Sequence, residues 1–332
     1  MEGMTGYVMP LEPPAVGWDI HCHTAFSDGT ETPATLAEQS KALGLKGVAI
    51  SDHDTTAGWP EAEAAAHRVG LPLLRGTEIT ATDENVSVHM LGYQYDPTNQ
   101  HITDLFANTR AARLQRTQRM VELLSRDYPI TWQSVLAQVK EGGKTTIGRP
   151  HIADALVSAG VYRTRSEAFA DAVSASSKYY IPTPSPTSHE VVAAVKGAGG
   201  VILIAHAGDV SRNRRLLSDD QIEALISEGL DGLEVWHRGN SPEQRERLLT
   251  ICRRHQLLVT GGSDWHGKGK PTNWGRTSPT RPLSKRSFIA ACFRYIGDSA
   301  IKSGLEIMPK AAYARFMVTA CRSRRRAWFR SR

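Results

Sequence analysis

The sequence of 332 residues is poor in cysteine and contains no long apolar run. Its four cysteines, Cys22, Cys252, Cys292 and Cys321, form no CxxC pair, which argues against a disulfide framework and a thiolate zinc site. No stretch approaches the roughly 20 apolar residues of a membrane span. The N-terminal segment lacks the basic and apolar regions of a signal peptide. We therefore expect a soluble, cytoplasmic protein with no membrane partner.

An excess of positive charge is also missing from most of the chain. The formal net charge is +6, but residues 322–332 contain six Arg and no acid, and the remaining body is neutral. Long nucleic acid is expected to need a continuous basic track, so we expect no stable long nucleic-acid partner. The tail is either a solvated end or a segment that touches RNA or a membrane surface. The composition leaves the oligomeric state open.

Strand and helix patterns alternate in two parts of the chain. Residues 17–96 and 185–282 contain short apolar strands separated by helices with capping residues or closing glycines. This alternation indicates a parallel α/β sheet or barrel. Residues 97–184 are mainly helical in pattern, so we interpret them as a helical insertion in the α/β body. Residues 283–332 are predicted as a C-terminal extension that ends in the Arg-rich tail.

Nine imidazole and carboxylate side chains lie at or near the carboxyl ends of predicted strands. These ends meet at one edge of a parallel α/β fold, where active sites assemble. A hydrogen-bonded structural role is a fair alternative for any one histidine, but it does not account for the whole set. The candidate metal ligands are His21, His23, Asp28, His53, Glu78, His89, His206, Asp264 and His266.

The donor types in this set indicate the metal and the chemistry. Nitrogen and oxygen ligands without a thiolate suit Zn, Mn or Fe, and nine ligands fit two or three divalent ions. A shared glutamate is the natural bridge. Close ions lower the pKa of a bridging water and clamp the oxygens of a phosphoester. The sequence has no GxSxG motif and no Walker loop, so a metal-dependent phosphoesterase is favoured.

Six short motifs, in order along residues 18–280, resemble those of the polymerase and histidinol phosphatase (PHP) superfamily. Within it the chain is most similar to phosphoesterases that act on nucleoside 3′,5′-bisphosphates and on the 5′ ends of short RNAs. That similarity comes from GRPHIA at 148–153 and YIP at 180–182, which match their helical subdomain. The six motifs are DIHCH with SDG in 19–29, SDHD at 51–54, GTEI at 76–79, VHMLGY at 88–93, AHAG at 205–208 and GSDWHG at 262–267.

The resemblance implies a distorted (β/α)7 barrel with a trinuclear metal centre. For such a centre we expect attack by a metal-bridged hydroxide, without a separate protein nucleophile. Ser51, Ala207 and Trp265 depart from the residues common in the family, but none of them removes a ligand. The implied ligand groups are His21, His23, Glu78 and Asp264 for one ion, Asp28, His53 and His266 for a second, and Glu78, His89 and His206 for the third.

Basic residues of the insertion are the candidates for binding substrate phosphate. Arg149 is the best of them, because a guanidinium matches phosphate oxygens bidentately. Arg113 and Arg116 are further candidates, with an ordinary solvated charge as the alternative. His151 would bind phosphate, protonate the leaving oxygen or cap a helix. Lys178 lies two residues before the YIP motif, displaced from the lysine of the family, so its phosphate role is open.

Asp52 and Asp54 flank His53, and we expect one of them to orient a ligand imidazole from outside the ligand set. Trp59 and His237 are interpreted as packing or rim residues rather than as base-stacking ones.

The expected function is hydrolysis of phosphomonoesters of small nucleotides, either nucleoside 3′,5′-bisphosphates or AMP-like compounds, and of the 5′ ends of short RNAs. One alternative within the superfamily is a phosphatase for histidinol phosphate or another small molecule, and another is DNA as in polymerase-associated exonucleases. A non-enzymatic alternative is a regulatory PHP module that binds nucleotide. That alternative predicts missing ligands.

Overall fold

The computed structural model describes residues 17–212 and 215–269. Seven strands form one sheet in which neighbours follow chain order. A bridge between Cys22 and Trp265 joins the two ends of this sheet, which is therefore nearly closed into a barrel. This arrangement confirms the expected α/β barrel. The strands are β1 (Trp18–Asp19), β2 (Gly47–Ile50), β3 (Leu73–Asp83), β4 (Val86–Tyr93), β5 (Val201–Ile204), β6 (Gly232–Trp236) and β7 (Leu258–Gly261).

One strand departs from the parallel arrangement that the sequence predicts. β4 runs antiparallel to both β3 and β5, so the prediction was wrong for this strand. It follows β3 through Glu84 and Asn85, whose φ angles of 40° and 68° are those of a tight hairpin turn. A two-residue turn reverses the chain, whereas a parallel neighbour needs a long crossover.

Five helices connect the strands of the barrel. Four of them begin at a Thr or Ser whose hydroxyl accepts a hydrogen bond from a backbone amide of the first turn, which satisfies one unpaired donor there. The capping residues are Thr32, Thr187, Ser218 and Ser241. The helices are α1 (Pro33–Ala42), α2 (Trp59–Val69), α7 (Ser188–Gly197), α8 (Asp219–Glu228) and α9 (Pro242–His255).

Four further helices lie between β4 and α7 and have an apolar core of their own. Met120, Leu124, Ile152 and Leu156 are fully buried in this second core, apart from the main barrel core. The separate core fits the interpretation of an insertion, whose exact limits stay a prediction. The helices are α3 (Gln100–Leu124), α4 (Trp132–Leu136), α5 (Arg149–Ser158) and α6 (Arg165–Ala170).

Three regions of the sequence remain outside this description. Residues 1–16, the end of the predicted second barrel part at 270–282, and the extension at 283–332 with the Arg-rich tail lie outside the described residues. Within the described part of the chain, no helix has both the length and the apolar character required to cross a membrane.

Candidate metal centre

His21 and His23 follow β1 at the edge of the barrel and place their rings 5.2 Å apart. Cys22, between them, is buried in an apolar cluster on the other side of the chain, as alternation along an extended segment requires. The strand itself is short, since only Trp18 and Asp19 pair with β2. The two imidazoles therefore face the same space from an extended segment beyond the strand.

Glu78 reaches this space from the middle of β3. The expectation that it follows a strand end was wrong, because the β3–β4 hairpin continues past the edge of the barrel. One carboxylate oxygen, Oε1, lies 2.9 Å from Nδ1 of His89 and 2.8 Å from Nε2 of His206. The other, Oε2, lies 3.0 Å from Nε2 of His23 and 3.4 Å from Nε2 of His53. This placement would allow Glu78 to contribute to two ion sites.

Two candidate ligands stand on backbone that non-glycine residues seldom adopt. His206, after β5, has a φ of 33°, and Asp264, after β7, has a φ of 52°. Such conformations cost about 1–3 kcal/mol each and are concentrated at functional sites. The neighbouring Gly262 allows a close approach, because a Cβ there would lie 2.3 Å from Cβ of His21. The strained turns bring both side chains to the centre.

In the described part of the chain, three overlapping groups of donor atoms are compact enough to hold an ion, with all atoms of a group within 4.8 Å of one another. The first is the same set that the resemblance implies. The second consists of the three residues that the resemblance implies for the second ion, together with His23. The third contains two of the three residues implied for the third ion, but has His53 in place of His206. The groups are His21, His23, Glu78 and Asp264; His23, Asp28, His53 and His266; and His53, Glu78 and His89.

Several donor atoms of this centre are buried without a hydrogen bond. Among the described residues, Nε2 of His21, Nε2 of His23 and Oε2 of Glu78 are fully buried, and although Oε2 lies 3.3 and 3.0 Å from the two nitrogens, none of the three atoms has a hydrogen bond of acceptable geometry. An unsatisfied buried polar group costs about 1–3 kcal/mol, so three together call for a ligand. Converging nitrogen and carboxylate donors suit divalent transition metals. The residues present therefore fit metal ions.

Burial and charge oppose one another at these groups. Burial lowers the pKa of His21, but Glu234 and Glu78 outweigh burial and hold that pKa well above its usual value. Burial raises the pKa of Asp28, but His266 and other imidazoles outweigh burial and hold that pKa well below its usual value. The carboxylate of Asp28 is therefore ionised, which is the form that binds a cation.

Glu234 is a functional residue that sequence reasoning missed. It is fully buried in β6. Nδ1 of His21 lies 3.0 Å from its Oε1, and the amide of His206 donates to its Oε2 at 2.6 Å. A carboxylate on Nδ1 fixes the tautomer and leaves Nε2 for a metal. A glutamate inside an otherwise apolar strand was the available signal, because such a charge is seldom buried without a partner.

Arg212 is a second missed residue. Its guanidinium donates to Oδ2 of Asp264, and its Nη1 lies 3.1 Å from Nε2 of His206. Burial lowers the pKa of Arg212, but Asp264 and the other surrounding carboxylates together outweigh burial and raise it. The residue lies in the loop after β5, where no pattern in the sequence distinguishes it from a solvated arginine.

Asp52 acts on the turn that follows His23. Its carboxylate accepts hydrogen bonds from the amide and hydroxyl of Thr24 at 2.7 and 2.6 Å, and from the hydroxyl of Ser27 at 2.6 Å. The same Ser27 hydroxyl lies 3.5 Å from Nδ1 of His23. Asp52 thus reaches an imidazole only through Ser27, and its orienting role stays a prediction.

Asp54, the other aspartate beside His53, joins the loop after β2 to strand β3 and to the insertion. It accepts hydrogen bonds from the amide and hydroxyl of Thr80 and from Nη1 of Arg113 at 2.8–2.9 Å. The Arg113 side chain is only 12% exposed. Arg113, predicted to bind phosphate, is therefore ion-paired to the loop of His53.

Comparisons with known proteins give the family of this chain. Residues 19–181 match the PHP domain family. The chain is 32% identical over 267 residues to the 5′-3′ exoribonuclease Rnm of Salmonella typhimurium, which covers 78% of this chain and 87% of the relative. The protein belongs to the PHP family.

Two further relatives of this PHP protein cover most of its length. The 3′,5′-nucleoside bisphosphate phosphatase of Chromobacterium violaceum is 29% identical over 279 residues, covering 80% of this chain and 93% of the relative. A solved structure from Bifidobacterium adolescentis, described as a metal-dependent phosphoesterase, is 78% identical with a TM-score of 0.78, covering 78% of this chain and 91% of that one. The protein is a hydrolase, a PHP-family metal-dependent phosphoesterase that uses divalent metal ions.

Two arginines of the PHP insertion meet at Tyr180. Arg116 and Arg149 lie over its ring at 5.3 and 5.4 Å. Burial, with Arg149 as a neighbour, lowers the pKa of Arg116 to about 10. Their hydrogen bonds go to the carbonyls of Ile181 and Val173 rather than to carboxylates. These two guanidinium groups thus form a positively charged group without an acid to neutralise it among the described residues.

His151 and Lys178 have other partners. Nδ1 of His151 accepts a hydrogen bond from the amide of Gly148 at 3.2 Å and so caps α5. Nζ of Lys178 lies 2.9 Å from Oδ2 of Asp127, and its side chain is 73% exposed. These contacts favour the capping alternative for His151 and a surface ion pair for Lys178 over phosphate binding.

Trp59 and His237, the two residues interpreted as packing or rim residues, are both buried. Trp59 donates its indole N–H to the carbonyl of Gly76 at 2.9 Å and lies in the main core. His237 is buried beside the centre, with Nε2 3.8 Å from Oδ2 of Asp264. Neither placement offers a free face for a nucleobase.

Proposed function

We propose that this PHP phosphoesterase removes phosphate from small nucleotides, either nucleoside 3′,5′-bisphosphates or AMP-like monophosphates, and acts on the 5′ ends of short RNAs. The observation that carries the proposal is the pairing of two sites of opposite charge. One is the buried cluster of imidazoles and carboxylates around Glu78, and the other is the guanidinium group at Tyr180. A bisphosphate offers one phosphate to each.

The ligand groups described above would hold the divalent ions, which supply an activated water and neutralise charge on the phosphoryl oxygens when bound. The chain's own residues bind and orient. Glu234 fixes the His21 ring through Nδ1. Arg149 and Arg116 offer N–H donors to a second phosphate, since guanidinium and phosphate geometry match.

The names of the relatives support a nucleotide substrate over the alternatives. One relative is named an exoribonuclease and another a nucleoside bisphosphate phosphatase. Histidinol phosphate carries an amine and an imidazole beside its single phosphate, and the guanidinium group would repel them. A regulatory module without catalysis predicts missing ligands, whereas all nine positions hold a ligating side chain.

A substrate panel tests the proposal. Metal-loaded protein is assayed for phosphate release from a nucleoside 3′,5′-bisphosphate, AMP, histidinol phosphate and a 5′-phosphorylated oligoribonucleotide. We expect the highest kcat/KM for a nucleotide substrate. Asp264→Asn, nearly equal in shape, should abolish release while the fold survives, which excludes a contaminating phosphatase. Absence of release from all four compounds, or preference for histidinol phosphate, would overturn the proposal.

A further inference from the structure

The turn that carries Asp28, residues 24–31, is held by donors from the insertion. The hydroxyl of Thr145 donates to the carbonyl of Ala25 at 3.1 Å, and the amide of Thr146 donates to that of Phe26 at 3.0 Å. Both donors lie just before α5. Two consecutive peptide carbonyls of the turn therefore find their partners in the insertion rather than in water.

Two basic side chains continue this contact. Nη1 of Arg165 donates to the carbonyl of Asp28 at 2.9 Å. The same guanidinium grips Asp154 of α5, with Nε 2.8 Å from Oδ1 and Nη2 bonded to Oδ2. Nζ of Lys140 donates to the carbonyl of Thr30. The Arg165 side chain is only 10% exposed, so its fork joins the insertion to the Asp28 peptide in a largely buried place.

Asp28 belongs to the second ligand group and lies close to two of its imidazoles. Its Oδ1 lies 3.2 Å from Nε2 of His266, and its Oδ2 lies 3.9 Å from Nε2 of His53. The loop of His53 is itself tied to the insertion through the pair of Asp54 and Arg113. Both loops that complete this group are thus anchored outside the barrel.

A short aspartate side chain has little freedom to correct a displaced backbone. The position of its carboxylate therefore follows the position of its peptide, which Arg165 holds directly. Removal of a residue that hydrogen-bonds a metal ligand commonly lowers metal affinity by about 10–100-fold. If the contact served only to dock the insertion, its removal would lower the stability of the protein without weakening ion binding at one ligand group more than at another.

We propose that Arg165 is a positioning residue for Asp28, through which the insertion sets the metal affinity of the group formed by His23, Asp28, His53 and His266. This role rests on the metal centre proposed above. It gives the insertion a second task besides binding substrate, namely completing one ion site of the barrel.

Metal titration of the full chain tests this role without an activity assay. Chelator-stripped protein is titrated with Co²⁺, and the bound ions are counted by elemental analysis and followed by optical absorption. The variants are Arg165→Ala and Arg165→Lys. The matched control is Arg163→Ala, which removes the same charge from an exposed residue two positions earlier, just before α6.

We expect wild-type protein and Arg163→Ala to bind the same number of ions with the same affinities. Arg165→Ala should bind one ion about tenfold more weakly or lose it, while the remaining ions keep their affinity. Arg165→Lys should fall between, since an ammonium cannot span Asp154 and the Asp28 carbonyl as a fork does. If Arg165→Ala does not fold, Asp154→Asn loosens the same guanidinium and should weaken the same ion by a smaller factor.

Unchanged Co²⁺ binding in the folded Arg165 and Asp154 variants would overturn this role. An equal loss of affinity for every ion, together with a lower Tm, would also overturn it, because that result would show that the contact is structural only. Failure of the wild-type protein to bind Co²⁺ would instead refute the metal centre of the proposed function. The two failures are therefore distinguishable.

Discussion

The barrel edge and the helical insertion carry side chains of opposite chemistry. The edge gathers imidazoles and carboxylates around Glu78, nearly all of them buried. The insertion places guanidinium groups against the ring of Tyr180. Burial and the charge of Arg149 lower the pKa of Arg116, and a bound anion would oppose this shift by stabilising the charged guanidinium. The proposed cation and anion sites thus lie on separate elements, and each can be perturbed alone.

The largest expected effect is at the barrel edge. Glu78→Gln removes the charge that contacts imidazoles from four segments of the chain. We expect kcat/KM to fall by about a thousandfold, roughly 4 kcal/mol of transition-state stabilisation. Steady-state phosphate release and elemental analysis measure activity and bound metal, and circular dichroism checks the fold. Activity near that of the wild-type protein would show that the charge of Glu78 is not needed at the proposed metal centre.

The second prediction compares the two cores. Leu156→Ala in the insertion and Leu203→Ala in the barrel each truncate a fully buried leucine. Each should lower the free energy of unfolding by about 2–5 kcal/mol. Because the insertion has its own core, Leu156→Ala should produce an early transition in denaturant that leaves the barrel amides protected from hydrogen exchange. One shared transition, shifted equally by both variants, would contradict separate cores.

The third prediction concerns the orienting carboxylate. Glu234→Gln keeps the size of the side chain but weakens its hold on His21 and on the His206 amide. We expect the Kd for metal to rise about 10–100-fold, as is usual for such partners. Glu243→Gln, an exposed glutamate of α9, is the matched control. Metal titration by calorimetry distinguishes the two, and equal affinity in both variants would show that Glu234 has no orienting role.

The smallest effect is expected in the insertion. Arg149→Ala should raise KM for a nucleoside 3′,5′-bisphosphate about tenfold, or roughly 1.4 kcal/mol, with little change in kcat. KM for AMP should change less, because AMP has no second phosphate. Arg149→Lys should restore part of the loss. Equal changes for both substrates would place Arg149 away from a second phosphate, and a fall in kcat alone would place it at the reacting one.

Much of the barrel could be predicted because its determinants are local. Short apolar strands and capping residues such as Thr32 mark the elements of the α/β alternation. The reversal of β4 was missed because the turn at Glu84 and Asn85 lacks the glycine that usually signals such a hairpin. Gly76 made β3 look as if it ended early, which misplaced Glu78 at a strand end.

The candidate ligands were recognisable because each stands beside a strand pattern. The residues that orient or neighbour them were not, since their partners are distant in sequence. Glu234 pairs with His21 across 213 positions, and Arg165 meets the Asp28 carbonyl across 137. Charges on insertion helices have an ordinary solvated alternative, so only tertiary contacts separate Arg113 at Asp54 from Arg149 at Tyr180.

Phosphate release measured against the number of metal ions bound per chain tests the central claim most directly. Chelator-stripped protein is reloaded in steps with Mn²⁺ and assayed on a nucleoside 3′,5′-bisphosphate at each step. We predict no release from stripped protein and a rate that rises as the ligand groups fill, because the buried donors of His21, His23 and Glu78 are matched to metal ions. Full activity in stripped protein, or none at any loading, would contradict the account.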